Sequence, residues 1–269
     1  MQTPSIVFVG GGNMASALLG GLLRSGHAAA DVAVIEPLAA QRARLAQQFG
    51  ITTLAAPDAT LAGASLFVWA VKPQVFAEAA TPLASMSRDA LHLSVMAGIV
   101  CAAIERATGA ARIVRSMPNT PALIGRGIAG LYATPTVSAD ERARIEALLA
   151  PTGETLWLQR EADLDAVTAL SGSGPAYVFF FLEAMLQAAQ DMGLDAAQGR
   201  ALALATFAGA TELAARSDEP ISLLRERVTS KGGTTYAALT SMQADGVQGA
   251  IVKAIRAAQQ RAQELGQAG

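Results

Sequence analysis

The chain has 269 residues, 52% of them apolar and 16% charged, with a formal net charge of −2. That composition is enough for one large domain or two smaller ones with a sizeable core, and it excludes a disordered or collagen-like chain. Without a basic stripe, nucleic acid is not an expected partner. The mean hydropathy of +0.34 raises the question of a membrane. The most apolar stretches, 91–104 and 176–189, are interrupted by His92, Ser94, Glu183 and Gln187. Neither reaches the roughly 18 to 20 uninterrupted apolar residues of a spanning helix. The expectation is a soluble protein with no membrane partner and little polar surface to spare, whose subunits cover one another. The single cysteine, Cys101, lies in an apolar run and reads as core packing in a reducing cytoplasm. Two histidines, His27 and His92, with no Cys/His cluster, give no reason to expect a metal. The first residues run directly into a strand-like segment, unlike a signal peptide.

In chain order, residues 5–9 read as a buried strand, followed by a glycine turn and a helix over 13–24. A strand at 32–35 leads into a helix across 38–49. Strands follow at 51–54, 66–71 and 91–95, with a helix beginning after Pro73. Residues 112–115 and 128–132 are later strand candidates. A helix over 140–149 has Ser138 as its N-cap and Pro151 just past its end, and a last strand covers 154–158. Apolar runs alternating with helices indicate a parallel sheet covered on both faces.

From Glu161 onward the strand signals stop. Helices are expected over 162–170, 176–192, 196–215, 235–243 and 248–265, with breaks at 172–175, Gly193, Pro220 and 232–233. The helix over 176–192 is apolar around most of its circumference, through Val178, Phe179, Phe180, Phe181, Leu182, Met185 and Leu186. Such a helix needs to be surrounded, in a bundle or between subunits. The expected architecture is α/β: a Rossmann-type parallel-sheet domain over 1–160 and an all-helical domain over 161–269.

The strongest local signal is Gly10-Gly11-Gly12-Asn13-Met14-Ala15, a G-x-G-x-x-A pattern between a strand and a helix. Gly10 permits a tight turn, Gly12 lets backbone approach a pyrophosphate, and Ala15 allows close helix–strand packing. The phosphates would meet unpaired N–H groups at the helix start. Glu36, at the end of the second strand, suits the ribose hydroxyls of NAD and disfavours a 2′-phosphate, although Arg42 or Arg44 could swing in to bind one. Lys72, in Ala70-Val71-Lys72-Pro73-Gln74, leaves the carboxyl end of a buried strand, where it would lie beside a cofactor or simply reach solvent. Arg115-Ser116-Met117-Pro118-Asn119-Thr120-Pro121 has two prolines that hold its backbone, as a site wall or as structural support.

Two further loops open helices in the second half. Ser171-Gly172-Ser173-Gly174-Pro175-Ala176 would present free N–H groups and a hydroxyl. Thr229-Ser230-Lys231-Gly232-Gly233-Thr234-Thr235-Tyr236 offers amides with the Ser230, Thr234 and Thr235 hydroxyls, a receptor for a small carboxylate. Ordinary helix capping explains either loop equally well; their coincidence with a dinucleotide fold favours a site.

With these motifs the chain resembles the pyrroline-5-carboxylate reductase family. The similarity runs through Gly10–Ala15, Ala70–Gln74, Met96-Ala97-Gly98, the segments 115–122 and 172–177, and most specifically 229–239. The resemblance implies a Rossmann domain and a helical domain that interlocks with a partner's as a dimer, with further assembly as rings of five dimers. It implies that Gly10, Gly12, Asn13 and Met14 hold the pyrophosphate, that Ala70, Val71, Lys72 and Pro73 flank the nicotinamide ribose, and that Met96, Ala97 and Gly98 lie beside the nicotinamide. Ser230, Gly232, Gly233, Thr234 and Thr235 of the partner would receive the substrate carboxylate and ring nitrogen, with Thr235 the catalytic side chain. Two positions depart from the pattern: Lys231 stands where many relatives carry proline, and Glu36 puts the family's usual NADPH preference in question, leaving NADPH or NADH. A β-hydroxyacid dehydrogenase would share the layout, but it would carry a catalytic lysine in the helix after the glycine loop, and 176–192 contains none. A non-catalytic nucleotide-binding scaffold gives no reason for the loop at 232–235.

Overall fold

The computed structural model describes residues 4–267. Strand β1 (Ile6–Val9) leads into α1 (Asn13–Arg24), then β2 (Val32–Ile35), α2 (Ala39–Phe49), β3 (Thr52–Leu54) and β4 (Leu66–Trp69). Two short helices, α3 (Phe76–Ala80) and α4 (Ala84–Ser87), precede β5 (Leu91–Ser94), and α5 (Cys101–Thr108) precedes β6 (Ile113–Met117). Then come β7 (Gly127–Ala133), α6 (Ala139–Leu149), β8 (Gly153–Trp157) and α7 (Asp163–Val167). The helices α8 (Gly174–Asp191), α9 (Ala196–Ala215), α10 (Ile221–Arg227), α11 (Thr234–Ala244) and α12 (Val247–Gln267) complete the chain. The short helices α5 and α10 are absent from the sequence reading, because neither is long enough for its periodicity to stand out.

The eight strands lie in the order β3-β2-β1-β4-β5-β6-β7-β8. From β3 to β6 every pairing is parallel. Strand β7 corrects the expectation of a wholly parallel sheet: it runs antiparallel to β6, and β8 then runs parallel to β7. The reason is the connection. Residues 118–126 hold only a 3₁₀ turn, Thr120–Ile124, and a parallel crossover needs a dozen or more residues, usually including a helix.

Both faces of the sheet are covered, and successive residues of each strand divide between them. Ile6, Phe8, Val32, Val34, Val68 and Leu93 pack with Leu18, Leu19 and Leu22 of α1 and Ile145 and Leu149 of α6. Val7, Val9, Ala33, Phe67 and Trp69 face the other way, onto Phe76, Leu83 and Ile104. Helix α6 starts as its sequence requires: Ser138 Oγ accepts from the Glu141 amide while Glu141 reaches back to the Ser138 amide.

Two compact units divide the chain after Ser173, and the residues from Ala258 onward belong with the first. Between α7 and α8, residues Thr168–Gly172 form a π-helical turn in which the Ser173 amide donates to the Thr168 carbonyl at 2.9 Å. The helix therefore runs on through the π turn, Asp163–Asp191, 29 residues in which an 18-residue stretch has a mean hydropathy of 1.2. By length and composition alone that stretch is apolar enough to cross a membrane, although Glu183 interrupts the apolar run as the sequence indicates. Gly172–Pro175 does not stop the helix because the π turn ends there and α8 takes over at Gly174, with Pro175 in its first turn, where no N–H is required.

Candidate active site

The first unit carries the glycine turn at the carboxyl end of β1. Gly10 has φ +96°, and a Cβ there would lie 2.6 Å from the Ala70 carbonyl oxygen and 2.9 Å from Val71 Cγ1. Only glycine allows both the backbone angle and this approach of β1 to the end of β4. The Gly10 amide donates to the Ile35 carbonyl, so the turn is tied to β2 as well. Gly12 precedes α1, where a Cβ would meet nothing within 4 Å. Helix α1 has no side-chain cap and no acidic residue in its first turn. Its first N–H groups therefore face open space at the positive end of the helix dipole, the arrangement a dinucleotide's pyrophosphate needs.

Glu36 is 8% exposed. Its Oε2 accepts from the Gly11 amide and its Oε1 from the Leu38 amide, both at 3.0 Å. Two backbone donors thus fix the carboxylate under the glycine turn. Arg42 Nη1 donates to the Glu36 and Pro37 carbonyls at 2.8 and 2.7 Å. Arg44 lies elsewhere, along a cleft shared with Asn13, Ser16 and Arg24. Of the two candidate phosphate-binding arginines, only Arg42 stands beside Glu36.

Lys72 is exposed and precedes the 3₁₀ turn Pro73–Val75, with Val71 and Pro73 half-buried beside it. In the loop after β5, Met96 is 3% exposed and belongs to the core, and its amide donates to Ser94 Oγ at 3.3 Å. Ala97 and Gly98 are half-buried, and Gly98 (φ +76°) packs so that a Cβ would come 3.3 Å from Leu265 backbone.

The two-proline segment is firmly braced. Asn119 Nδ2 donates to Ser171 Oγ at 3.1 Å, and Asn119 Oδ1 accepts from the Ile128 amide at the same distance. A Cβ on Gly172 would lie 2.6 Å from Met117 Cε. The expected free amides and hydroxyl at 171–176 are therefore corrected: Ser171 pairs with Asn119, and the Ser173 amide is used within the π turn.

Sequence reasoning missed Glu161. Its Oε1 accepts from Arg115 Nη1 at 2.8 Å and from the Cys101 amide at 2.7 Å. Asp165 borders the same cleft, of about 600 Å³, with its carboxyl pushed upward by burial against the pull of Arg115. No spacing rule joins positions 101, 115 and 161, so nothing in the sequence marked them. The Cys101 thiol is buried and pushed far up in pKa, chiefly by burial and by Glu161, leaving it unreactive. His92 is also inside: Nδ1 accepts from Trp69 Nε1 and Nε2 donates to the Ser87 carbonyl, each at 2.8 Å. Burial pushes its pKa down to about 4, so it is a neutral core residue.

The second unit carries the other candidate loop. Ser230 to Gly233 closes a turn through Gly233 N–H to the Ser230 carbonyl at 3.0 Å, with Gly232 at φ +76°. A Cβ on Gly233 would strike Ser230 Oγ at 2.6 Å. Helix α11 starts behind Gly233 without a side-chain cap. Ser230 and Thr234 are exposed and Thr235 is half-buried, so hydroxyls and free amides share one helix start.

Comparison with known proteins finds two family models, each matching a separate part of the chain. Residues 161–265 match the family model described as pyrroline-5-carboxylate reductase dimerisation. Residues 5–98 match one described as NADP oxidoreductase, coenzyme F420-dependent. A pyrroline-5-carboxylate reductase of Pseudomonas aeruginosa is 43% identical over 267 residues, covering 98% of both chains. The chain belongs to the pyrroline-5-carboxylate reductase family. Solved structures of pyrroline-5-carboxylate reductases agree: that of Coxiella burnetii is 33% identical with a TM-score of 0.89, covering 98% of each chain. The Plasmodium falciparum pyrroline carboxylate reductase with NADP bound is 25% identical with a TM-score of 0.88, covering 99% of each. The glycine turn falls in the segment matched by the NADP oxidoreductase model, and the Ser230–Thr235 loop in the segment matched by the pyrroline-5-carboxylate reductase dimerisation model.

Proposed function

We propose that the chain is a pyrroline-5-carboxylate reductase, reducing the cyclic imine 1-pyrroline-5-carboxylate to L-proline with NAD(P)H. The observation that carries the reading is the uncapped start of α11 behind Gly232 and Gly233, with three hydroxyls, in a chain of this family. Gly10, Gly12, Asn13 and Met14 hold the pyrophosphate and Glu36 the adenosine ribose. Ala70, Val71, Lys72 and Pro73 flank the nicotinamide ribose, while Met96, Ala97 and Gly98 line the nicotinamide. The cofactor, when bound, supplies the hydride that C5 of the imine accepts.

Ser230, Gly232, Gly233, Thr234 and Thr235 receive the substrate: amides at the helix start take the carboxylate, and Thr235 holds the ring nitrogen. A threonine is a poor acid, so the substrate arrives protonated at nitrogen and Thr235 contributes orientation. The fixed Glu36 carboxylate leaves little welcome for a 2′-phosphate, which favours NADH. The functional division is a dinucleotide domain over 1–160 and a helical substrate and dimerisation domain over 161–269.

Several large apolar side chains of the helical half support a homodimer. Phe179, Phe180, Leu202 and Leu213 are each more than half exposed in the single chain. In this reading a partner helix, rather than lipid, covers the run from Asp163 to Asp191. Further assembly into a ring of five dimers and a cytoplasmic location belong to the same reading, as does the lack of a nucleic-acid or membrane partner.

The test follows cofactor absorbance with pyrroline-5-carboxylate, using NADH and NADPH in parallel. We expect turnover with both and a higher kcat/KM with NADH; binding of cofactor without imine reduction would overturn the proposal. Thr235→Ala should lower kcat about tenfold or more through lost orientation, leaving cofactor affinity intact. Unchanged kcat and KM would remove Thr235 from the site.

A further inference from the structure

Glu161 occupies an unusual junction. Its backbone carbonyl accepts from the Leu164 amide at 3.1 Å, starting α7. Its side chain accepts from the Cys101 amide, the first of α5, and from Arg115 in the middle of β6. Helix α5 has no side-chain cap from its own preceding residue. Glu161, sixty positions away, supplies what a local cap would, and a carboxylate at a helix start also meets the positive end of the dipole.

The Arg115 side chain is 8% exposed and that of Glu161 26%. Removing either charge would strand the other in a poorly hydrated place. Without the carboxylate the Cys101 amide would lose the acceptor to which it donates.

The loop that this contact anchors is 95–100, between β5 and α5, which carries Met96, Ala97 and Gly98. Its other flank is also fixed: Met96 is buried in the core, and Gly98 packs on the backbone of Leu265. The charge-assisted bond at Cys101 holds the third point of the loop.

We propose that Glu161 is a positioning residue for the cofactor: by gripping the Cys101 amide and Arg115 together, it sets Ala97 and Gly98 of this loop against the nicotinamide. The proposal rests on the reading that this loop lines the nicotinamide. Glu161 touches neither cofactor nor substrate; it acts through the loop.

Direct titration of the full-length protein with NADH, read by fluorescence, tests the role without the imine. Glu161→Ala should weaken NADH binding about tenfold or more, as expected for loss of a charge-assisted hydrogen bond. Glu161→Gln keeps an acceptor oxygen and should weaken it only about threefold. In steady state the KM for NADH should rise in the same order while the KM for the imine stays constant. A lowered Tm with NADH affinity unchanged in Glu161→Ala would make Glu161 merely structural and overturn the proposal. Should Glu161→Ala not fold, amide hydrogen exchange in Glu161→Gln decides: faster exchange over residues 96–101 supports the grip, and exchange equal to the parent overturns it. A parent protein that binds NADH but leaves the imine unreduced would sink the reductase reading, while the NADH titrations would still decide the role of Glu161.

Discussion

The strands β1, β2 and β4 are wholly apolar and the helices α8, α9 and α11 carry many apolar residues, yet the two groups end in opposite surroundings. Every residue of β1, β2 and β4 is buried. Helix α8 buries only Ala189, α9 only Gly199 and Ala203, and α11 no residue at all. The sheet is a finished core: helices lie on both of its faces, so hydrophobic burial is completed within the chain. The helical unit is half of a core. Phe181 and Phe207 meet within the chain, but exposed side chains such as Phe179, Phe180, Leu202 and Leu213 gain stabilisation when a second surface arrives, so the unit's stability depends on protein concentration in a way the sheet's does not.

That contrast can be broken most severely in the helical unit. Phe180, 72% exposed in the single chain, becomes Asp in the variant Phe180→Asp. In a two-fold dimer each substitution counts twice, at about 3 kcal/mol per copy for a lost apolar contact and a buried charge. We expect association weakened by several thousandfold or more, seen as monomer in light scattering after size-exclusion chromatography, with the sheet still folded by circular dichroism. A dimer of unchanged affinity would show that this face is not the interface.

A smaller effect, independent of concentration, is expected in the sheet. Leu93→Ala, at a side chain with no exposure, should lower unfolding free energy by about 3 kcal/mol through lost transfer energy and a cavity. Denaturant titration at several protein concentrations checks it: the loss should be the same at each. A loss that vanished at high concentration would contradict the division into a self-sufficient core and a shared one.

The smallest expected effect is a pH dependence confined to the sheet. Burial holds His92 near a pKa of about 4, below the ordinary 6.5, because the charged ring would lose water. The unfolded chain takes up the proton first, so the stabilisation is complete above about pH 6.5 and lost as pH falls towards 4. Between pH 7 and 5 His92 should account for about 2 kcal/mol of lost stability. His92→Gln should flatten that part of the curve, measured by denaturant midpoints; an unaltered slope would assign the loss to other groups.

Much of the fold was legible because local chemistry and tertiary context agree. Helix α1 and helix α9 span the residues their patterns indicate, since each is bounded by strong signals: Gly12 and Ser25 for one, Asp195 and Arg216 for the other. The glycine turn was equally legible, because a positive φ at Gly10 and the contact with Ala70 leave no other residue a place. The reversed strand β7 was not, because its direction follows from the length and path of a connection rather than from strand composition. The run through Gly172 misled for a related reason. Glycine and proline mark a helix break in isolation, but packing of Gly172 on Met117 and the i to i−5 bond at Ser173 carry the helix across.

The candidate site divides in the same way. Gly10 to Ala15 and Ser230 to Thr235 are contiguous, so their chemistry is written in order along the chain. The Glu161 grip on Arg115 and Cys101, the pinning of Glu36 by Gly11 and Leu38, and the burial of His92 against Trp69 join residues far apart in sequence or set the exposure of a single one. By itself the sequence determined the α/β character, the glycine turn and the apolar helices without enough surface of their own chain to cover them. Only the tertiary structure decided the direction of β7, the continuous helix from Asp163 to Asp191 and the partner of each buried charge, because distance in space and desolvation do not exist until the chain has folded.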